Sequence, residues 1–557
     1  MGEDKVENEW TIRPPVLGAT DRKPAGLFLP TAEVRFRYVA VALVIGLTIW
    51  GWLDVRERAQ THPDHLDFHR TDFTVYTAAG AAFLDGCEPY QVASPRGWHY
   101  LYPPLFALLV SPLAALDIKS QVVVWYIISI VLAFGCYSEA RRLWTLLVAS
   151  DSGEADVSRN AGFRIGACAG LTVLLPTLEC LQRGQVGIAL LYPLLLGFRL
   201  TLGGRSWPIW FLGGAVLGWP IVVKLIPALP VAVLLLQHWA ASLAPSRSPR
   251  SLIRATTVTL GLAVGMFLFT FAIPAVCIGW RENLSHLRTW SRKVATSPDI
   301  GREVLVDFDS ASNQSFSNAA HMLAARIRGR ATAGADPETD QAAHRQWLAT
   351  VTATAEHRRV DYVTAEWVWG VRAIVLVLLI VAGLAVGLRG DVLAQAATYS
   401  LACLATVLIS PVAWSHYYIL WLPSLLFVPL WLMRQGQLTA ARAVAVVPLG
   451  LIWAHYLAKP WLGHFGFLGL GTLTWFLAVV TLSILIRSYI PPHLTGTRGM
   501  IFHNPNGRRC CMHASFQASS ERVEGARRAA GQSLLKNPNK STHSPESKSA
   551  PSYRRFS

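Results

Sequence analysis

Asp72 stands immediately before a stretch of small and apolar residues, Thr74–Leu84, suited to an interfacial helix. A carboxylate there either caps the helix by accepting its orphan N–H groups or takes a proton from a reacting hydroxyl. Asp67 is the fallback. Lys224 lies between two apolar halves, in Gly218-Trp-Pro-Ile-Val-Val-Lys-Leu-Ile-Pro227. An ammonium at that depth is costly, so it either meets an anion or snorkels toward water. Arg183 is a second candidate cation. His416 follows Trp414 at the edge of an apolar run, as a proton-handling or hydrogen-bonding group or as a satisfied interfacial histidine. Gln185, Asn313 and Gln314 offer neutral donors and acceptors that suit a hydroxyl-rich ligand. Tyr76, Trp98, Tyr100 and Tyr102 offer ring faces for stacking, or anchor an interface.

Other motifs carry less. Asp307-Phe-Asp309 has the Asp-x-Asp form of a metal-nucleotide site, but no βα pattern surrounds it, and the chain has no Gly-x-Gly-x-x-Gly or P-loop. Asp64-His65, Asp67 and His69 match no standard metal spacing, so no metal site is assigned. The eight cysteines are scattered and suggest neither a zinc site nor a disulfide framework.

Apolar elements must position these groups. Hydrophobic residues make up 52% of 557 and charged residues 15%, with mean hydropathy +0.35. A soluble domain carries roughly a quarter charged residues, so a soluble enzyme and a disordered chain are excluded. The apolar stretches are continuous rather than alternating, which argues against a β-barrel. The expectation is an all-α polytopic integral membrane protein with about 12 spans, near 38–55, 119–140, 162–180, 186–202, 208–222, 225–238, 255–279, 367–388, 392–410, 416–434, 440–458 and 465–487. Two long loops, about 56–118 and 280–366, interrupt this 38–487 region. Residues 1–37 form a polar lead without a cleavable signal peptide. Residues 488–557 carry 11 Lys/Arg against 3 Glu, part of a net charge of +16, and read as a disordered basic tail.

Charge asymmetry orients the spans. If Tyr102–Leu116 does not cross, one side holds 17 Lys/Arg besides the tail and the short loops of the other hold 7. If it crosses, the asymmetry is lost. The positive-inside rule therefore predicts both termini inside and Tyr102–Leu116 along or dipping into the outer surface. In that topology Asp72, Tyr102, Gln185, Lys224, Asn313 and His416 all fall on the outer face.

The ordered series Asp72, Tyr76, Gly86, Tyr90, Tyr102-Pro103-Pro104, Gly184-Gln185, Lys224-x-x-Pro227, Asn313-Gln314-Ser315 and Ser410-Pro411-x-x-Trp414-x-His416 resembles glycosyltransferase family 87 over roughly Val39–Phe427. Ala413 and Ser415 depart from that family's pattern, and both tails lie outside it. The resemblance implies a GT-C glycosyltransferase-type helical bundle with two long outer-face loops. It implies transfer of a sugar, a hexose such as mannose, from a polyprenyl-phosphate donor to a glycolipid or cell-envelope glycan, with inversion. Asp72 would be the base, with His416 also catalytic. Lys224 and Arg183 would bind the donor phosphate, and Tyr76, Tyr102, Gln185, Asn313, Gln314 and Trp414 the substrate. No nucleotide cofactor is expected, and a divalent metal is left open. The partners implied are donor, acceptor and membrane lipid, with no nucleic acid. The setting implied is the plasma (inner) membrane, with cytoplasmic termini and an outward active site. The competing classes are a transporter or flippase of lipid-linked sugars, which would need no base at Asp72 but should show broken helices in paired halves, and a scaffold whose working part is the tail.

Overall fold

A computed structural model describes residues 32–60, 71–93, 99–149, 155–244, 248–292, 313–317, 319–320, 366–410, 412–462 and 466–489. Asp64, His65, Asp67, His69, Trp98, Asp307, Asp309 and nearly all of the two tails lie outside them. The chain divides into two compact units, Met1–Ser483 and Ile484–Ser557. Of the second, only 484–489 are described, as helix.

The described residues are helical, with two isolated β-bridges and no strand. In chain order the helices are α1 (Ala32–Arg58), α2 (Phe73–Leu84), α3 (Pro104–Val110), α4 (Ile118–Ala149), α5 (Ala155–Arg183), α6 (Gly187–Gly203), α7 (Trp207–Val223), α8 (Ala228–Leu243) and α9 (Pro249–Phe267). They continue as α10 (Ile273–Ile278), α11 (Trp280–Trp290), α12 (Glu366–Arg389), α13 (Val392–Ile409), α14 (Leu422–Arg434), α15 (Leu438–Leu457), α16 (Lys459–Leu462) and α17 (Phe467–Tyr489).

Among the described residues, 8 helices are long and apolar enough to cross a membrane. The predicted spans at 186–202, 208–222 and 225–238 are α6, α7 and α8, with 17, 17 and 16 residues. Each rises about 25 Å, at the lower edge of what crosses a hydrocarbon core about 30 Å thick. Hydropathy reports apolar content, and a helix packed inside a bundle is as apolar as one facing lipid. The long helices leave apolar side chains exposed, such as Ile127, Val131 and Phe134 on α4 and Ile374, Val377 and Val381 on α12. Lipid-facing surface has this character, and the chain is a multi-pass membrane protein. By contrast α13 is buried along nearly its whole length. Phe198 stacks on its Tyr399 at 4.1 Å, and Ser424 of α14 donates to its Ser400 carbonyl at 2.6 Å.

Tyr102–Leu116 forms the 7-residue α3 and a 3-10 turn, Ser111–Ala115. Together they rise about 20 Å, too little to cross. The predicted interfacial helix is Phe73–Leu84 and is largely buried rather than lying on a surface. Its small residues allow this: a Cβ on Gly80 would sit 2.7 Å from the Ala107 carbonyl of α3. Phe73, Tyr76, Tyr90, Tyr100, Tyr102, Phe106 and Trp125 make one aromatic core beneath α2 and α3.

Alternation of the helices separates two ends of the bundle. One gathers α2, α3, the α5–α6 and α7–α8 turns and the start of the 415–434 segment, tied by contacts such as Asp72–Gln185 and Lys224–Tyr417. At the other, Arg434 donates to the Leu147 and Val148 carbonyls at 3.3 Å, and Arg250 to that of Arg205 at 2.6 Å.

Candidate active site

The end of α5 builds the first half of the site. Gly184 has φ +69°, the left-handed conformation that ends a helix without Cβ strain. Its N–H donates to the Leu181 carbonyl at 3.4 Å, and the Gln185 N–H to that of Cys180 at 2.9 Å. This is the paired Schellman cap, and it aims Gln185 away from the helix axis. The Arg183 carbonyl left over accepts from the Asp72 N–H at 3.0 Å and from the Thr71 hydroxyl at 3.3 Å. A Cβ on Gly184 would lie 2.6 Å from Phe73 Cβ. Glycine therefore permits both the turn and the seating of α2 against it.

Asp72 occupies the N-cap position of α2, yet its carboxylate caps nothing. The Phe73 N–H goes to the Thr71 hydroxyl at 3.3 Å, and the Val75 N–H to the Asp72 backbone carbonyl at 3.2 Å. Asp391 shows what an aspartate cap looks like in this chain: its Oδ1 accepts from Leu393 and Ala394 N–H at 2.9 and 3.1 Å. The Asp72 carboxylate, partly exposed, takes a 2.6 Å hydrogen bond from the Gln185 side-chain amide. Gln185 Oε1 in turn accepts from the Tyr76 hydroxyl at 3.3 Å, and that hydroxyl lies 3.3 Å from that of Tyr102. Burial first, then the charges of Tyr102 and Asp72, pushes the Tyr76 phenol well above its ordinary range. It stays a hydroxyl, which orients the Gln185 amide with its NH₂ toward Asp72.

The second half of the site is cationic. Lys224 is the extended residue that ends α7. Its ammonium donates to the Tyr417 hydroxyl and lies 4.0 Å from the Tyr417 ring centre and 5.2 Å from that of Tyr102. Among the described residues no carboxylate is within ion-pair distance of it. Desolvation pushes it down to about 7. Arg183 pairs with Glu179 at 3.2 Å, and Glu179 also accepts from the Tyr456 hydroxyl at 2.6 Å. His416 is buried, its ring edge-on to Tyr417 at 4.7 Å, and neither ring nitrogen has a hydrogen-bond partner among the described residues. Most buried polar atoms in folded proteins have a hydrogen-bond partner.

Asn313 and Gln314 sit elsewhere in the constellation. Both are fully buried. Asn313 Oδ1 accepts from the Ser315 and Ala413 N–H groups, each at 3.1 Å, and Asn313 bridges Trp414. Gln314 Oε1 accepts from Leu468 N–H at 3.1 Å, while its backbone bonds Ala413 at 2.7 Å and Tyr418 at 2.8 Å. These amides clamp residues 313–317 to the strip before His416 and to α17. The departure at Ser415 belongs to the same packing: its hydroxyl lies 3.2 Å from His455 Nε2.

Sequence reasoning missed Tyr417, Glu179, Tyr456 and Thr71. Glu179 stands four residues before Arg183, a helix ion-pair spacing that was readable. Tyr417, beside His416, carried no comparable signal.

The model of glycosyltransferase family 87 matches residues 100–411. No curated protein and no solved structure matches the chain. Tyr102, Arg183, Gln185, Lys224, Asn313 and Gln314 lie within the matched segment, and Asp72, Tyr76, Trp414 and His416 just outside it. The match covers more than half of the chain, which is thus a membrane glycosyltransferase belonging to family 87.

Proposed function

We propose that this glycosyltransferase, of GT-C type, moves a hexose such as mannose from a polyprenyl-phosphate donor to a glycolipid or cell-envelope glycan, with inversion. The acceptor hydroxyl oxygen attacks the anomeric carbon, and the bond from that carbon to the phosphate oxygen breaks. The hydroxyl proton passes to Asp72. The electron pair leaves with the polyprenyl phosphate, whose charge Lys224, Arg183 and His416 stabilise. Gln185 holds the base in place, and Tyr76, Tyr102 and Trp414 line the sugar site. Asn313 and Gln314 shape that site through the backbone they clamp. No nucleotide cofactor enters the scheme.

The observation that carries this reading is the carboxylate of Asp72: freed from capping and held by Gln185, at the bundle end that also presents Lys224. An apolar groove of about 340 Å³ between α1 and α4, lined by Thr48, Trp52, Tyr126 and Val131, supports a lipid-linked donor. The excess of arginine at the opposite end of the bundle supports an outward-facing site and cytoplasmic termini in the plasma membrane.

The test is transfer by the purified, reconstituted protein with a panel of radiolabelled polyprenyl-phosphate sugars and lipid acceptors, comparing wild type with Asp72→Ala. Transfer that vanishes in the variant is expected. Transfer that survives would remove Asp72 as the base. Absence of transfer alongside facilitated flipping of the donor would favour a transporter.

A further inference from the structure

A second charged cluster lies at the bundle end opposite the candidate active site. Helix α7 packs on α9 through glycines of both: a Cβ on Gly214 would overlap the Val258 carbonyl, one on Gly261 the Phe211 carbonyl and one on Gly265 the Ala215 carbonyl. That contact fixes the register of the two helices and brings the first turns of α9 against Trp210. The Arg254 guanidinium lies 4.9 Å from the Trp210 ring centre and that of Arg250 lies 5.6 Å from it. Arg250 also donates to the Arg205 carbonyl at 2.6 Å, and the Trp210 indole N–H to that of Gly204 at 2.8 Å. The cations are thus held in place around one ring.

Nothing among the described residues neutralises them. No carboxylate is within ion-pair distance of Arg205, Arg250 or Arg254. The Arg254 Nε–H is buried without a hydrogen-bond partner, and so is Nε2 of His238 on α8, a side chain only 3% exposed. Two guanidiniums sharing one ring repel each other, and orphaned polar atoms are costly. A bound anion removes both penalties.

We propose that Arg250 and Arg254, gathered around Trp210, form a binding site for the phosphate of an anionic membrane phospholipid, at the bundle end opposite the candidate active site. The helices that carry the cluster favour a lipid over a free anion. Trp207 and Leu212 on α7, Leu243 on α8, and Ile253 and Leu260 on α9 are exposed apolar side chains, a surface for acyl chains beside the head-group site. The proposal is independent of the catalytic reading.

Native mass spectrometry of the full-length protein in detergent, titrated with phosphatidylglycerol, phosphatidylcholine or inorganic phosphate, tests it. Wild type is expected to retain phosphatidylglycerol about tenfold or more in preference to phosphatidylcholine, and Arg250→Gln/Arg254→Gln to lose that preference. Should the double variant fail to fold, Arg250→Glu alone, at an exposed position, is expected to lose it as well. Equal retention of both lipids by wild type, or an undiminished preference in a folded variant, overturns the proposal. Inorganic phosphate that displaces phosphatidylglycerol at equal concentration overturns the lipid assignment in favour of a free anion.

Discussion

The side-chain amide of Gln185 donates a 2.6 Å hydrogen bond to Asp72 Oδ2, joining residues 113 apart in sequence. The contact binds the first loop to the end of α5 and leaves the other oxygen of Asp72 without a hydrogen bond among the described residues. If Asp72 is the base, Asp72→Asn keeps the shape and removes the proton acceptor. Turnover is expected to fall by about 10²–10⁴-fold, with the unfolding midpoint little changed because the side chain caps nothing. A comparable fall in midpoint would assign Asp72 a structural role instead.

Gln185 is a positioning residue, and its variants separate placement from chemistry. Gln185→Glu sets a second carboxylate against Asp72, and the pair must share a proton at neutral pH. The expected result is a pH–rate profile whose rising limb moves to higher pH. Gln185→Ala should lower turnover without moving that limb. A profile identical in all three proteins would show that the contact does not bear on the base.

Lys224 supplies a pH prediction of opposite sense. Its ammonium, lowered to about 7 by desolvation, is charged below that pH and neutral above it. Capture of a phosphate donor should be strongest below about 7 and fall as pH rises through it. Lys224→Arg keeps its charge far above this range, so the falling limb of kcat/KM should disappear even where the absolute rate drops. A limb that persists in the arginine variant belongs to another group.

Gly184 is required by conformation and by space. Gly184→Ala should cost about 1–2 kcal/mol for the left-handed backbone alone, and more because the new Cβ would press on Phe73. The unfolding midpoint and transfer should both fall, since the clash displaces the helix that presents Asp72. A midpoint equal to wild type would mean that α2 can shift without penalty.

Much of this arrangement was legible in the sequence, for two reasons. Apolar run lengths with positive-inside counting put Asp72, Gln185, Lys224 and His416 at one end of the bundle before any contact was known, because alternation and charge are linear properties of the chain. The partnership of those residues was not legible. Whether Asp72 caps α2 depends on Gln185 arriving from another helix, and that is a tertiary fact. The same applies to the lengths of α6, α7 and α8, 17, 17 and 16 residues, which composition alone does not fix. Burial in a bundle and burial in lipid select the same side chains.

Asn313 and Gln314 show that residue type alone does not fix a role. Amides suit sugar hydroxyls, and the resemblance makes both substrate ligands. Their side-chain oxygens accept backbone N–H groups of Ser315, Ala413 and Leu468. Asn313→Ala leaves two N–H donors without their acceptor, at about 1–3 kcal/mol each. The expected outcome is a clear fall in unfolding midpoint and a lower amount of active enzyme, with the donor KM of the surviving fraction close to wild type. If Asn313 instead touches the sugar, KM will rise severalfold while the midpoint holds. Measuring both on one preparation separates a clamp from a ligand.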